Sequence, residues 1–172
     1  MDAIECLTNR RSIKSYKPDP VDEGVLNTII DAAMNAPTGR NRQSPIIIAV
    51  TNKSLRDRLS RLNARVLGTD TDPFYGAPVV LVVLADRNVN THVYDGSLVM
   101  GNIMNAAYAL GLGSCWIHRA KEVFDSAEGK EILSSLGIEG DFEGIGHCVL
   151  GYADCPQPVK RDRKQNYVYY VK

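Results

Sequence analysis

The chain has 172 residues, with 20 Lys plus Arg balanced by 20 Asp plus Glu, so it carries no net formal charge at neutral pH. A molecule without a field of one sign has no general attraction for nucleic acid, and any basic cluster must be a local device matched by acid elsewhere. At 44% hydrophobic and 23% charged it is an ordinary globular sequence, long enough to bury a substantial core, and its length suits a single domain over residues 1–172.

The opening MDAIECLTNRRS has no apolar run of signal-peptide length. PVVLVVLA and SLVMGNIMNAAYALGLG fall short of an uninterrupted membrane span, so a cytoplasmic protein with no membrane partner is expected. Ile4 and Leu7 give a short helix one apolar edge, which ends before NRRSIKSY, where Arg10, Arg11 and Lys14 crowd around Ser12. Pro18 and Pro20 impose a bend. Asp22 then caps a helix carrying Val25, Leu26, Ile29, Ile30, Ala33 and Met34 at helical spacing and stopping at Pro37. APTGRNRQSP is a loop by its turn chemistry, and it feeds IIIAVTN, a β-branched run of strand length. So polar a loop between two buried elements is a site candidate.

Leu55, Leu59, Leu62 and Val66 mark a helix from Ser54 to Leu67. FYGAPVVLVVLAD begins with turn residues and enters a fully apolar strand. Asp95 to Leu110 is apolar on nearly every side, which predicts a buried helix closed by GLG. SCWIH reads as a strand edge, Lys121 to Leu136 as one charged helix, and FEGIGHCVLGY as a buried strand. The tail, about 156–172, carries Lys160, Arg161, Arg163 and Lys164 and ends in NYVYYVK, an alternating strand with no evident partner in its own chain. The order is helix-rich with four or five strands, an α+β or three-layer arrangement.

Several chemistries are excluded. There is no GxxxxGK[ST], GLGSCW is not GxGxxG, and a GxSxG elbow is absent. His92, His118 and His147 are widely spaced, no zinc pattern occurs among Cys6, Cys115, Cys148 and Cys155, and no metal site is expected. Cys148 adjoins His147, but neighbouring strand residues point to opposite faces. No side chain is fitted to hard chemistry unaided, which points to a cofactor. Basic clusters at both ends of a neutral chain suggest a shared anion held by more than one cation. A pair of solvated basic patches is the alternative.

RRSIKSY resembles the R-R-S-x-R-x-Y opening of the nitroreductase family of flavoenzymes, and APTGRNRQ its A-P-S-x-x-N-x-Q loop. FYGAPVVLVV, AAYALGLGSCWI and GYADCPQPVKRDRK resemble, in the same order, its strand entry, its A-x-x-x-G-L-G-S-C-W-I segment and its closing G-Y-P run. The resemblance implies a central, mostly antiparallel sheet flanked by helices, in an intertwined homodimer with FMN at the subunit interface. It implies NADH or NADPH as donor and a small electron acceptor such as a nitroaromatic or quinone, in ping-pong turns. Arg10, Arg11, Ser12 and Lys14 match residues that hold FMN, and Arg161 and Arg163 complete its phosphate end. Thr38, Asn41 and Gln43 match a loop reaching FMN from the partner, and Asn63 a flavin-contacting amide. Cys115, Trp116, Ile117 and His118 match the segment lining the ring, where a backbone N–H meets N5.

The flavin carries the chemistry on this reading, so no catalytic side chain is assigned. His118 and Arg119 stand where relatives have small residues, Ser44-Pro45 replaces Pro-Trp, and Lys14 replaces a frequent Arg. Reductive dehalogenation or another flavin reaction on the same fold, and flavin binding or sensing without turnover, are the alternatives. The tail is expected to pack on the partner subunit.

Overall fold

The structure, a computed structural model, describes residues 2–172. Helix α1 spans Ala3–Asn9, α2 Glu23–Met34, α3 Lys53–Leu67 and α4 His92–Ala109. Helices α5, Ala120–Asp125, and α6, Ala127–Ser135, follow. The strands are β1 Pro45–Val50, β2 Val79–Asp86, β3 Gly113–Ile117 and β4 Phe142–Gly151. They form one sheet in the order β1-β2-β4-β3, with every neighbouring pair antiparallel. The fold is therefore α+β, as expected.

Local chemistry sets the element ends. Asp22 accepts from Val25 N at 3.0 Å and Asn52 from Leu55 N at 3.0 Å, each filling a free donor at a helix start. Gly68, at φ 75°, ends α3 in the left-handed conformation that a side chain would disfavour. Strand β2 is apolar on both faces because both are covered. Val80, Val82 and Leu84 meet Leu59, Phe124 and Ile132 of α3, α5 and α6, while Leu81 and Val83 meet Ile29, Met100 and Ile103 of α2 and α4. The result is a helix–sheet–helix sandwich with a core on each side.

The segment after α1 adds itself to the sheet. Ile13 N donates to Ser114 O at 3.0 Å, Lys17 N to Tyr152 O at 2.9 Å, and Asp154 N to Ser15 O at 2.9 Å. It lies so close to β3 that a Cβ at Gly113 would stand 2.9 Å from Ile13 Cγ1 and 3.0 Å from its Cβ.

The structure corrects the sequence reading at several points. The charged helix expected over 121–136 is two helices, because Ser126 is extended (φ −71°, ψ 160°) and caps α6 by accepting from Gly129 N at 3.1 Å. Helix α4 is not covered all round within the chain: Val93, Tyr94 and Leu98 are 42%, 72% and 48% exposed. The NYVYYVK tail forms no strand, and its side chains stay in solvent, Tyr169 at 80% and Val171 at 100%. IIIAVTN gives up its last residues, since Asn52 is the cap of α3.

Gly113→Val should force Ile13 away from β3 and destabilise the protein by about 1–3 kcal/mol, the usual cost of overpacking. Urea unfolding measures it, and an unchanged midpoint would show the contact to be slack.

Candidate functional site

The cationic residues found in sequence sit on the strip that joins the β3 edge, with Ser12 bridging Ser114 and Tyr16 bridging Ala153. Alternation along it sends Ile13 into the core and leaves Ser12 and Lys14 exposed. The cations then part company. Arg11 turns back on α1, its Nη1 donating to Thr8 O at 3.0 Å and Arg10 O at 2.7 Å, where positive charge suits a helix C-terminus. The Lys14 ammonium stands 5.8 Å from the centroid of the Tyr75 ring, within cation–π range. Arg10 turns inward, and its Nη1 is buried without a hydrogen-bond partner.

Cys115 lies beneath this strip, 5% exposed. Burial pushes its thiol up, opposed by a hydrogen bond with Ser12 and the positive charges of Lys14 and Arg10. It is a packed, neutral thiol, so what it offers a site is its backbone. Ile117 is likewise 5% exposed and belongs to the core, so only its backbone can line a site. Trp116 points to the opposite face, partly buried, where a Cβ at Gly146 would lie 2.6 Å from its Nε1.

Past the end of β3, His118 is exposed and Arg119 holds a left-handed φ of 74°. Asn63, fully buried on α3, fixes both: its Nδ2 donates to His118 O at 2.7 Å and its Oδ1 accepts from Arg119 Nε at 3.0 Å. Asn63 Nδ2 also stands 3.4 Å from His147 Nδ1. Both ends of the Asn63 amide are engaged within the chain, and it braces the turn. His147 is 0% exposed between Phe74 and Phe124, ring centroids 5.2 and 6.1 Å away. Burial first, and the charge of Arg119 second, push its pKa down to about 3 against a hydrogen bond with the Ile117 backbone.

Thr38, Asn41 and Gln43 lie elsewhere, in the loop before β1. Arg40, Asn41 and Gln43 are left-handed at φ 55°, 53° and 50°, a strain of about 1 kcal/mol or more at each such residue. Thr38 Oγ1 accepts from Gln43 N at 3.1 Å, while Asn41 and Gln43 present their amides to solvent. The loop is tied to Asp95, 2% exposed on α4, whose carboxylate accepts from Gly39 N at 2.9 Å, Ser44 Oγ at 2.8 Å and Thr91 Oγ1 at 3.0 Å. Sequence reasoning missed Asp95, although an acid within an otherwise apolar helix was the available signal.

Because β1 and β3 are opposite edges of the sheet and the strip lies outside β3, this loop and the cationic strip are separated by about four strand spacings, roughly 19 Å. One chain does not bring them together. At the C-terminus Gln157 Nε2 donates to Asn9 O at 2.6 Å, tying the root of the tail to the N-terminal segment. Arg161 and Arg163 lie beyond it and are exposed. Among the described residues no helix is long and apolar enough to cross a membrane.

Comparison with known proteins gives these features a context. The model of the Nitroreductase family matches residues 7–68 and 68–152. A Methanothermobacter thermautotrophicus protein provisionally named NADH dehydrogenase/NAD(P)H nitroreductase is 30% identical over 125 residues, covering 67% of this chain and 60% of its own length. The FMN reductase (NAD(P)H) of Bacillus subtilis is 30% identical over 130 residues, 66% of this chain and 52% of that protein. The chain thus spans little more than half the length of these relatives. The crystal structure of a Bacteroides fragilis nitroreductase with bound FMN superposes with a TM-score of 0.89 at 24% identity, over 100% of both chains.

Two predictions follow from the bracing of the His118–Arg119 turn. His147 stays neutral when folded down to about pH 3, whereas an unfolded imidazole protonates near its ordinary 6.5. Between those values the unfolded chain binds more protons, so this contribution is whole above 6.5 and drains away as pH falls toward 3. Urea midpoints across that range should fall less steeply in His147→Gln than in the parent protein. Asn63→Leu, which leaves the Arg119 Nε and the His118 carbonyl without their partner, should cost about 2–4 kcal/mol by the same measurement.

Proposed function

Since the chain belongs to the nitroreductase family, we propose that it is an FMN-dependent NAD(P)H oxidoreductase of the nitroreductase type, delivering reducing equivalents to nitroaromatic, quinone or similar flat acceptors. The observation that carries the reading is Arg10. A buried guanidinium nitrogen without an acceptor costs about 1–3 kcal/mol or more, and an anionic phosphate oxygen removes that cost. Ser12 and Lys14 expose a hydroxyl and an ammonium on the same strip, so the donor set fits a phosphorylated flavin.

Arg10 and Ser12 would hold the phosphate and ribityl portion, Lys14 the pyrimidine edge, and backbone N–H groups of residues 116–118 the ring near N5. When bound, FMN supplies reversible hydride chemistry. The protein's own part is binding, orientation and charge: Lys14 favours added electron density at the ring edge, and Asn63 fixes the backbone that faces it. The names of the Bacillus relative and of the FMN-bound Bacteroides structure support this assignment.

The protein works as a homodimer on this reading, because each chain carries the two halves of the site on opposite sheet edges. A two-fold partner can set its 38–43 loop against the strip of the first chain. Ile4 at 67% exposure, Leu7 at 60% and Tyr94 at 72% supply the apolar surface such a contact would bury. The tail, residues 156–172, packs across the partner and carries Arg161 and Arg163 to the phosphate end. Four free cysteines suit a reducing cytoplasm.

The purified protein should be yellow and bleach anaerobically with NADH or NADPH, then turn over repeatedly with a quinone. Arg10→Ala should weaken FMN binding by about 10- to 100-fold, the loss of one charge-assisted hydrogen bond. A colourless protein that stays colourless with added FMN would overturn the reading, and a bleach without turnover would reduce it to flavin binding. Truncation before Gln157 should yield a monomer that has lost flavin by light scattering and absorbance; a dimer that keeps FMN would refute the role of the tail.

A further inference from the structure

Asp95 is an unusual residue to find inside α4. It is 2% exposed, it forms no ion pair with Lys or Arg among the described residues, and a buried carboxylate is unfavourable unless its lone pairs are filled. Burial pushes its carboxyl up, but the bonds from Gly39, Ser44 and Thr91, with the charge of His92, outweigh this and leave it below the ordinary carboxylate range. The group is an ionised acceptor held by neutral donors.

Those donors show what the charge accomplishes. Gly39 N and Ser44 Oγ lie at the two ends of the loop, so one carboxylate ties both ends at 2.9 and 2.8 Å. Between the ties lie Arg40, Asn41 and Gln43, all left-handed. Thr91 completes the clamp at 3.0 Å and packs so closely that a Cβ on Gly39 would stand 2.5 Å from its Oγ1. Without the clamp these residues would relax to ordinary backbone angles, and the amides of Asn41 and Gln43 would point elsewhere.

We propose that Asp95 is a positioning residue for cofactor binding that acts in trans: it holds the 39–44 loop in the shape that presents Asn41 and Gln43 to the flavin bound on the cationic strip of the second copy. The inference rests on the FMN-binding homodimer proposed above. It goes further by assigning a determinant of affinity to a residue that touches no cofactor and serves the other chain's site. The trans direction comes from topology, since the loop anchored by Asp95 leads into β1 while the strip lies along β3, at the far edge.

The test uses full-length chains, differently tagged, and FMN titration followed by quenching of flavin fluorescence. Asp95→Ala homodimers should bind FMN tenfold or more weakly than the parent protein, with Asp95→Asn and Ser44→Ala as milder variants should the alanine variant fail to fold. The decisive sample is a mixed dimer of an Asp95→Ala chain with an Arg10→Ala chain. Action in trans leaves one site with an intact strip and an intact loop, so half the sites should titrate with the parent affinity. Action in cis, or general destabilisation, leaves none, and that result overturns the proposal. So does parent-like binding by Asp95→Ala homodimers. If the parent protein itself binds no FMN, the functional reading fails, a result distinct from either of these.

Discussion

Everything about this site follows from the burial of β2 and β4 between two helical layers. Val80, Val82 and Leu84 on one face and Leu81 and Val83 on the other have no exposed surface, so these strands can present nothing to a ligand. Chemistry is displaced to the two edges, β1 and β3, and to the segments that meet them. At the β3 edge the strip after α1 adds backbone bonds and carries cations. At the β1 edge the preceding loop carries amides and is anchored to α4. An antiparallel sheet of this order cannot fold one edge onto the other, so within one chain the loop before β1 and the cationic strip stay apart.

The basic cluster near the N-terminus shows what a sequence can and cannot convey. Arg10, Arg11 and Lys14 form a single charge group in one dimension. In three dimensions Arg11 caps α1, Lys14 rests near Tyr75, and Arg10 alone sends a nitrogen into a buried position without a partner. The direction of each side chain is set by where α1 ends and by the period-two alternation of the strip. A one-residue shift of that helix end would exchange these roles.

Much of the fold was legible because its signals are local. Asp22 and Asn52 cap the helices that follow them, and the uninterrupted apolar run of β2 is what a strand covered on both faces requires. The five ordered motifs located the flavin-family residues by resemblance. What escaped depends on contacts between distant positions. Asn63 is engaged by residues 55 and 56 positions away, and Asp95 by Gly39, also 56 away, so neither partner can be inferred from spacing. The break at Ser126 was missed for a different reason: a serine inside a charged helical pattern is tolerated as well as it caps, and only the close contact of α5 and α6 decides. The tail alternates Tyr and Val with the period of a strand, but within the chain it has no neighbour to pair with.

The turn after β3 repeats the logic of the Asp95 clamp at the other edge. His118 and Arg119 are bulky residues, one of them left-handed, in a place where the family pattern has small ones. Such a backbone would wander unless something fixed it, and Asn63 does so from below through the His118 carbonyl and the Arg119 guanidinium. His147 beneath is neutral, so it adds no second cation beside the Arg119 guanidinium. At each edge, then, a buried polar side chain on a helix, Asn63 on α3 and Asp95 on α4, holds a loop with left-handed residues. The helices belong to opposite layers of the sandwich. Because both anchors sit in helices packed on the same sheet, the relative placement of the two loops within the chain is fixed by the core.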